Sequence, residues 1–267
     1  MAGLFNMNRN GVAYVVTVAV GVCLVCSVLV SAAAVYLKPL QTQNAKADRR
    51  QNILAVAELG GPGVDVNAVF EERIEARVVN LETGEYVPDL EATNFDQREA
   101  AKDPSTSTKI PPSDDPAGIK RRANHAEVYL VRDDQGEIET LVLPIHGYGL
   151  WSQMYGFIAL APDGETVKGI NYFEQGETPG LGAEITNPKW QQVWEGKKIY
   201  DENGEVQLRV IKGNVGSDTP DAEHKVDGLS GATLTSRGVS GTIEYWFGPR
   251  GFKPFLRNIT DGQIGKG

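Results

Sequence analysis

The sequence is poor in cysteine and histidine. Only two of its 267 residues are cysteines, Cys23 and Cys26, and both fall in one apolar segment near the start. The rest of the chain therefore holds no disulfide framework, no thiolate zinc site and no iron–sulfur cluster of its own. The three histidines, His125, His146 and His224, are too scattered to make a metal site, so no metal is predicted. No G-x-G-x-x-G follows a predicted strand, so a dinucleotide fold of that kind is absent too. Basic residues are also in deficit: 26 Lys+Arg stand against 35 Asp+Glu, for a net charge of -9. The first fifty residues hold five basic groups and one acid, so the remainder is more acidic still. An acidic body repels phosphate backbones, which argues against a nucleic-acid partner.

Charge is missing altogether from Gly11 to Leu37. At about 1.5 Å rise per residue this run exceeds the roughly 30 Å hydrocarbon core, so one tilted helix can span a lipid bilayer. Ser31-Ala32-Ala33-Ala34 offers a cleavage site, but a signal h-region is about 7–15 residues and this run is longer, so a retained anchor is predicted. Cys23 and Cys26, three apart on one helix face, read as small packing residues. The predicted organisation is a cytoplasmic segment 1–10, a transmembrane helix 11–37, a stalk 38–52 and one domain over 53–267. Lys38, Lys46, Arg49 and Arg50 follow the span and Arg9 precedes it. Basic-residue counting alone then places the body in the cytoplasm.

Beyond the stalk, Val64 to Ile74 has helical spacing, and Ala76–Leu81 with Glu85–Val87 reads as a hairpin around Thr83-Gly84. Residues 94–122, punctuated by Pro104, Pro111, Pro112 and Pro116, read as a surface excursion outside the core. Two hairpins follow, 128–131 with 139–143 and 155–160 with 167–173. A helix over 189–195, a strand over 206–211 and a helix over 233–247 complete the chain, with Gly248-Pro249 as the stop. Hairpins with separate helices predict an α+β, mostly antiparallel fold.

Three segments can carry chemistry. Asp227 to Ser236 combines glycines, hydroxyls and a helix start, where free N–H groups favour an anion. The plainer alternative is an ordinary helix start capped by Ser230. Glu174 to Glu184 places three glycines and Pro179 after a strand, a bent loop that can approach a flat ligand, or else a connection with solvent-facing acids. His146 to Trp151 can stack on a ring, or else bury Trp151 in the core. Gly228 to Ala232, with His224 and Asp221 nearby, approximates a hydrolase nucleophile elbow, but its last position is Ala and the residue order does not fit.

Asp227 with Ser230-Gly231-Ala232-Thr233 resembles the covalent flavin-attachment motif of the FMN-binding domain family. Four other features resemble the C subunits of Na+-translocating NADH:quinone oxidoreductases over nearly the whole chain: the single amino-terminal span, Phe95-Asp96-Gln97-Arg98, Arg121 to Asn124, and His146 to Trp151 with Glu174 to Glu184. The resemblance implies FMN, joined by a flavin transferase through its phosphate to Thr233. Ser230, Gly231 and Ala232 then form the attachment loop; by group chemistry the Ser230 and Thr235 hydroxyls can donate to the phosphate, while Asp227, a carboxylate that would repel it, is either read by the transferase or holds the loop. For the ring surroundings the resemblance suggests Trp151 and the loop residues Glu177, Thr178, Gly180, Leu181 and Gly182. The chain is then an electron relay, without catalytic residues of its own, in an inner-membrane complex that oxidises NADH, reduces ubiquinone and exports Na+. Its body would lie in the periplasm, against the basic-residue count, with the other subunits as partners. Two alternatives stay open: the related G subunit of Rnf-type complexes, and an anchored binding or assembly module without redox chemistry.

Overall fold

The computed structural model describes residues 11–264; the predicted cytoplasmic segment 1–10 lies outside them. Helix α1 (Val12–Val56) takes in nearly the whole uncharged run and is long and apolar enough to cross a membrane by length and composition. Residues 38–52, predicted as a stalk, continue this helix. The chain divides into two compact units, one ending at Arg49 and the other beginning at Arg50. The last turns of α1 therefore belong to the second unit, where Ile53, Leu54 and Val56 are buried.

The second unit is built on a five-stranded antiparallel sheet. Its strands are β1 (Ile74–Asn80), β4 (His125–Arg132), β5 (Ile138–Tyr148), β6 (Gln153–Leu160) and β7 (Val167–Glu174), ordered β1-β4-β5-β6-β7. Both predicted hairpins are present, with Leu130 opposite Leu141 and Ile158 opposite Ile170. Branched and aromatic residues on both strand faces leave two apolar surfaces to cover. One buries Tyr129, Val131, Val142 and Phe157 beneath the end of α1 and the residues of α2 (Val66–Arg73). Asn171 Nδ2 donates to Asn52 Oδ1 at 2.9 Å and fixes α1 to β7. The other face carries the larger core, closed by α4 (Pro188–Gln192), α5 (Thr233–Trp246) and α6 (Lys253–Thr260).

Several sequence expectations need correction. Glu85–Val87 folds back on the free edge of β1 as expected, through one antiparallel bridge, Val79 to Tyr86, flanked by the Asn80 amide donating to the Glu85 carbonyl at 2.9 Å and the Val87 amide to the Val78 carbonyl at 2.8 Å, but it is too short to count as a sixth strand of the sheet. Residues 94–122 are not wholly peripheral. They form α3 (Gln97–Lys102) and the short pair β2 (Ser107–Lys109) and β3 (Arg121–Ala123), and they bury Ile110 and Ala117 in the main core. The strand expected over 206–211 shrinks to β8 (Arg209–Val210), paired parallel with β9 (Lys225–Val226). Helix α6 is absent from the sequence expectations: its two turns are amphipathic, with Phe255 and Leu256 buried, but a run this short just after a glycine–proline stop is below the length at which periodicity separates a helix from a loop.

Candidate functional site

Helix α5 begins at Thr233, and the loop that delivers it is tightly held. Asp227 Oδ1 accepts from the Val215 amide at 2.7 Å, and the Asp227 carbonyl accepts from Trp190 Nε1 at 2.9 Å. Gly231 has φ +69, a left-handed conformation that glycine adopts without steric cost. It turns the chain so that Ser230, Gly231, Thr233 and Leu234 are exposed while Leu229 and Ala232 are buried. The expected Ser230 cap is not formed. Ala232 occupies the cap position and no side chain caps the helix. Ser236, which sequence reading does not single out, instead turns its hydroxyl back to accept from the Leu229 amide at 3.3 Å. Thr233 thus presents its hydroxyl at an uncapped helix end, where unpaired N–H groups and the helix dipole favour an anion.

Thr235 stands elsewhere than predicted. It is 1% exposed and donates its hydroxyl to Glu177 Oε2 at 2.6 Å, so it faces inward instead of toward a phosphate. At about 100° per residue, two positions along a helix turn the side chain by roughly 200°, which is why Thr233 and Thr235 have opposite surroundings.

Glu177 is likewise not a surface acid. It is 5% exposed, and its carboxylate also accepts from the amides of Leu150 at 3.1 Å, Trp151 at 2.9 Å and Ser152 at 3.3 Å. Burial by itself pushes this carboxyl up; the Thr235 hydroxyl and the three amides outweigh that and hold it below the usual carboxylate range. The glycines around it make room. A Cβ on Gly149 would lie 2.5 Å from Glu177 Oε1, and one on Gly182 would lie 2.5 Å from Thr235 Oγ1.

The rest of the loop folds over this centre. The Thr178 carbonyl accepts from the amides of Leu181 and Ala183, both at 3.1 Å, and Gly180 makes the bend with φ +75. Ser152, also missed in the sequence, accepts from the Gly176 amide at 2.6 Å and ties the loop to the β5–β6 turn. Trp151 is 66% exposed, against the alternative that buries it, and its Nε1 donates to Thr178 Oγ1 at 3.2 Å. Tyr148, Leu150, Leu181 and Leu234 are exposed as well, and Leu181 lies against Gly231. The three predicted segments are therefore one place: an exposed threonine, an anion-favouring helix end and an apolar rim. An aromatic ring system carrying a phosphate suits that combination.

The hydrolase elbow is not assembled. His224 Nδ1 is engaged with the Lys198 carbonyl at 2.8 Å, and Ser230 lies on an exposed turn. His146 is no ligand either, since its ring packs on Tyr155 and Trp246. No group of His, Cys, Asp or Glu arranged for a metal occurs among the described residues.

Comparison with known proteins agrees with this geometry. Residues 149–247, which contain all three segments except the start of the third, match the FMN-binding domain family. The chain is 53% identical over 242 residues to the C subunit of the Na(+)-translocating NADH-quinone reductase of Neisseria meningitidis serogroup A, covering 91% of this chain and 92% of that protein. It is 50% identical to the protein of the same name from Haemophilus ducreyi, covering 94% and 95% respectively. Among solved structures, NqrC of Shewanella oneidensis superposes with a TM-score of 0.75 at 40% identity, covering 82% of this chain and 99% of that one. The corresponding protein from Parabacteroides distasonis gives 0.63 at 32% identity, covering 82% and 96%.

Proposed function

The chain belongs to the family of C subunits of Na(+)-translocating NADH-quinone reductases, and from that premise we propose that it carries FMN covalently on Thr233 as an electron relay within the complex. The observation that carries the reading is an exposed Thr233 at an uncapped α5 end, with Leu181 lying against Gly231 in the attachment loop and the turn of the exposed Trp151 joined to the first turn of α5 through Glu177. Bound FMN supplies one-electron redox chemistry that no side chain here can provide.

The protein's own share is binding and position. The first-turn N–H groups of α5 and the Ser230 hydroxyl hold the phosphate, and Thr233 Oγ1 supplies the ester oxygen. A flavin transferase makes that phosphodiester from an activated flavin nucleotide; the hydroxyl proton is lost and the nucleotide's leaving group departs. Asp227 holds the attachment loop through the Val215 amide, and Thr235 serves Glu177 and not the phosphate. Trp151 with Leu181 borders the ring, and Thr178, Gly180 and Gly182 shape the loop that carries Leu181. The apolar run of α1 anchors the chain once in the inner membrane, with the body in the periplasm, where a dissociating flavin would be lost by dilution. There it passes electrons on the route from NADH to ubiquinone that is coupled to Na+ export.

Peptide mapping of protein from native membranes tests the assignment. The peptide ending at Arg237 should carry FMN mass on Thr233. Thr233→Ala should abolish in-gel flavin fluorescence while costing about 1 kcal/mol or less, because the hydroxyl is exposed and caps nothing. Mass on Ser230 or Thr235 would overturn the residue assignment, and a peptide without FMN would overturn the relay.

A further inference from the structure

We propose that Glu177 is a positioning residue: one buried carboxylate sets the register between the Trp151 turn and the helix that presents Thr233. The inference rests on the reading of Thr233 as the attachment residue and adds what aligns it.

Four donors from two separate elements converge on this carboxylate. Three are consecutive amides of the turn between β5 and β6, Leu150 to Ser152, and the fourth is the Thr235 hydroxyl in the first turn of α5. The stabilising partners are hydrogen-bond donors and not a lysine or arginine. Dipoles fixed in direction hold a charge in one place, whereas a flexible ammonium would tolerate drift.

The mechanical consequence follows from helix geometry. The Glu177–Thr235 bond fixes the rotation of the first turn of α5, and Thr233, about 200° round the helix, is thereby turned outward. The same carboxylate holds the Trp151 amide at 2.9 Å, and the Trp151 indole is steadied in turn by Thr178 Oγ1. Acceptor hydroxyl and exposed indole are thus referred to one point. Gly149 and Gly182 lack side chains where that point sits, since a Cβ at either would reach the Glu177 carboxylate, at 2.5 and 2.8 Å. Nothing in this arrangement touches the reacting atoms, and its effect on attachment runs entirely through placement.

The test uses the full-length chain in membranes, with and without a co-produced flavin transferase. Glu177→Gln keeps the shape but removes the charge and one of the two acceptor oxygens on which the four donors converge, and Thr235→Val keeps the shape but removes the hydroxyl. Thr235→Ser restores it. With the transferase, covalent flavin attachment to Glu177→Gln and Thr235→Val should slow on the order of 100-fold, the scale expected for a misplaced reacting group, while Thr235→Ser loads like the parent. Without the transferase, hydrogen exchange at the Leu150 to Ser152 amides should quicken about tenfold in the first two variants and stay unchanged in the serine variant. Normal loading of Glu177→Gln and Thr235→Val, with or without faster exchange, would overturn the positioning role. A parent chain that never acquires flavin would instead overturn the Thr233 reading on which it rests.

Discussion

Gly182 lies so close to Thr235 that a Cβ placed on it would sit 2.5 Å from the threonine hydroxyl oxygen. The same atom would lie 2.8 Å from Glu177 Oε2, so an alanine has no direction in which to yield without disturbing the buried hydrogen bond. Gly182→Ala should therefore cost about 1–3 kcal/mol, as overpacking of a closed site does. Gly180 provides the contrast. Its added Cβ would meet nothing within 4 Å, but its φ of +75 is left-handed, so Gly180→Ala should cost only about 1–2 kcal/mol, all of it backbone strain. Chemical denaturation of both variants, with hydrogen exchange at Leu150 to Ser152, separates the cases. Only Gly182→Ala should loosen those amides; protected amides there would contradict the steric reading.

The same loop marks where sequence reading succeeds and where it stops. Strands β4 to β7 are legible because branched and aromatic residues run between clear turn signals, and α5 because Val239, Ile243 and Trp246 repeat at helical spacing. Glycine clusters and hydroxyls flag all three segments of the site. The role of Glu177 is not legible, because an acid among acids looks solvated until the fold brings three amides and a hydroxyl to it. Thr235, by contrast, is legible and the sequence reading misses it: it stands four residues before Val239 and eight before Ile243, so the apolar stripe of α5 extended back by one turn already puts its hydroxyl on the core face. Ile110 and Ala117 stay hidden because single apolar residues between prolines have no period to detect.

Trp151 should matter to the flavin and not to the fold. Its side chain is largely exposed and makes one hydrogen bond, to Thr178. Trp151→Ala should change stability by no more than about 0.5 kcal/mol, as is usual for surface positions. Covalent flavin should remain while its absorption band and fluorescence yield shift, because an aromatic neighbour has been removed from the ring surroundings. Spectra identical to those of the parent chain would remove Trp151 from the site.

Topology can be decided directly. The proposal puts residues beyond the apolar run outside the cytoplasm, whereas counting Lys38, Lys46, Arg49 and Arg50 against Arg9 says the opposite. Protease added to intact spheroplasts should digest the body and leave an anchored amino-terminal fragment. Digestion only in inverted vesicles would reverse the orientation, and a mature terminus near Val35 would eliminate the anchor.

His146 predicts how the fold responds to acid. Its ring stacks on Tyr155 at 5.3 Å and packs on Trp246 at 4.8 Å, whose Nε1 donates to the His146 carbonyl at 2.7 Å. Burial, together with the Arg98 guanidinium, pushes the imidazole down to about 3, against about 6.5 in the unfolded chain. Between those values the unfolded state binds the proton and the folded state does not, so stability rises with pH across the window. The contribution is complete above about pH 6.5, falls as the pH drops below it, and stops changing near 3. Its slope is at most about 1.4 kcal/mol per pH unit. The lowered carboxyls of Glu75, Asp163 and Glu177 act in the same direction, but only as the pH falls below their unfolded values near 4. His125, partly exposed and lowered by burial and by Arg122, acts in the same direction as the pH falls below about 6.5. The interval from about pH 7 to about pH 5 therefore isolates the histidines. Thermal unfolding should show a falling midpoint across it for the parent chain, and His146→Phe, which keeps an aromatic ring against Tyr155 and Trp246 but cannot be protonated, should remove most of that fall. A His146→Phe midpoint that drops as steeply as the parent's would mean that protonation of His146 is not what destabilises the fold in acid.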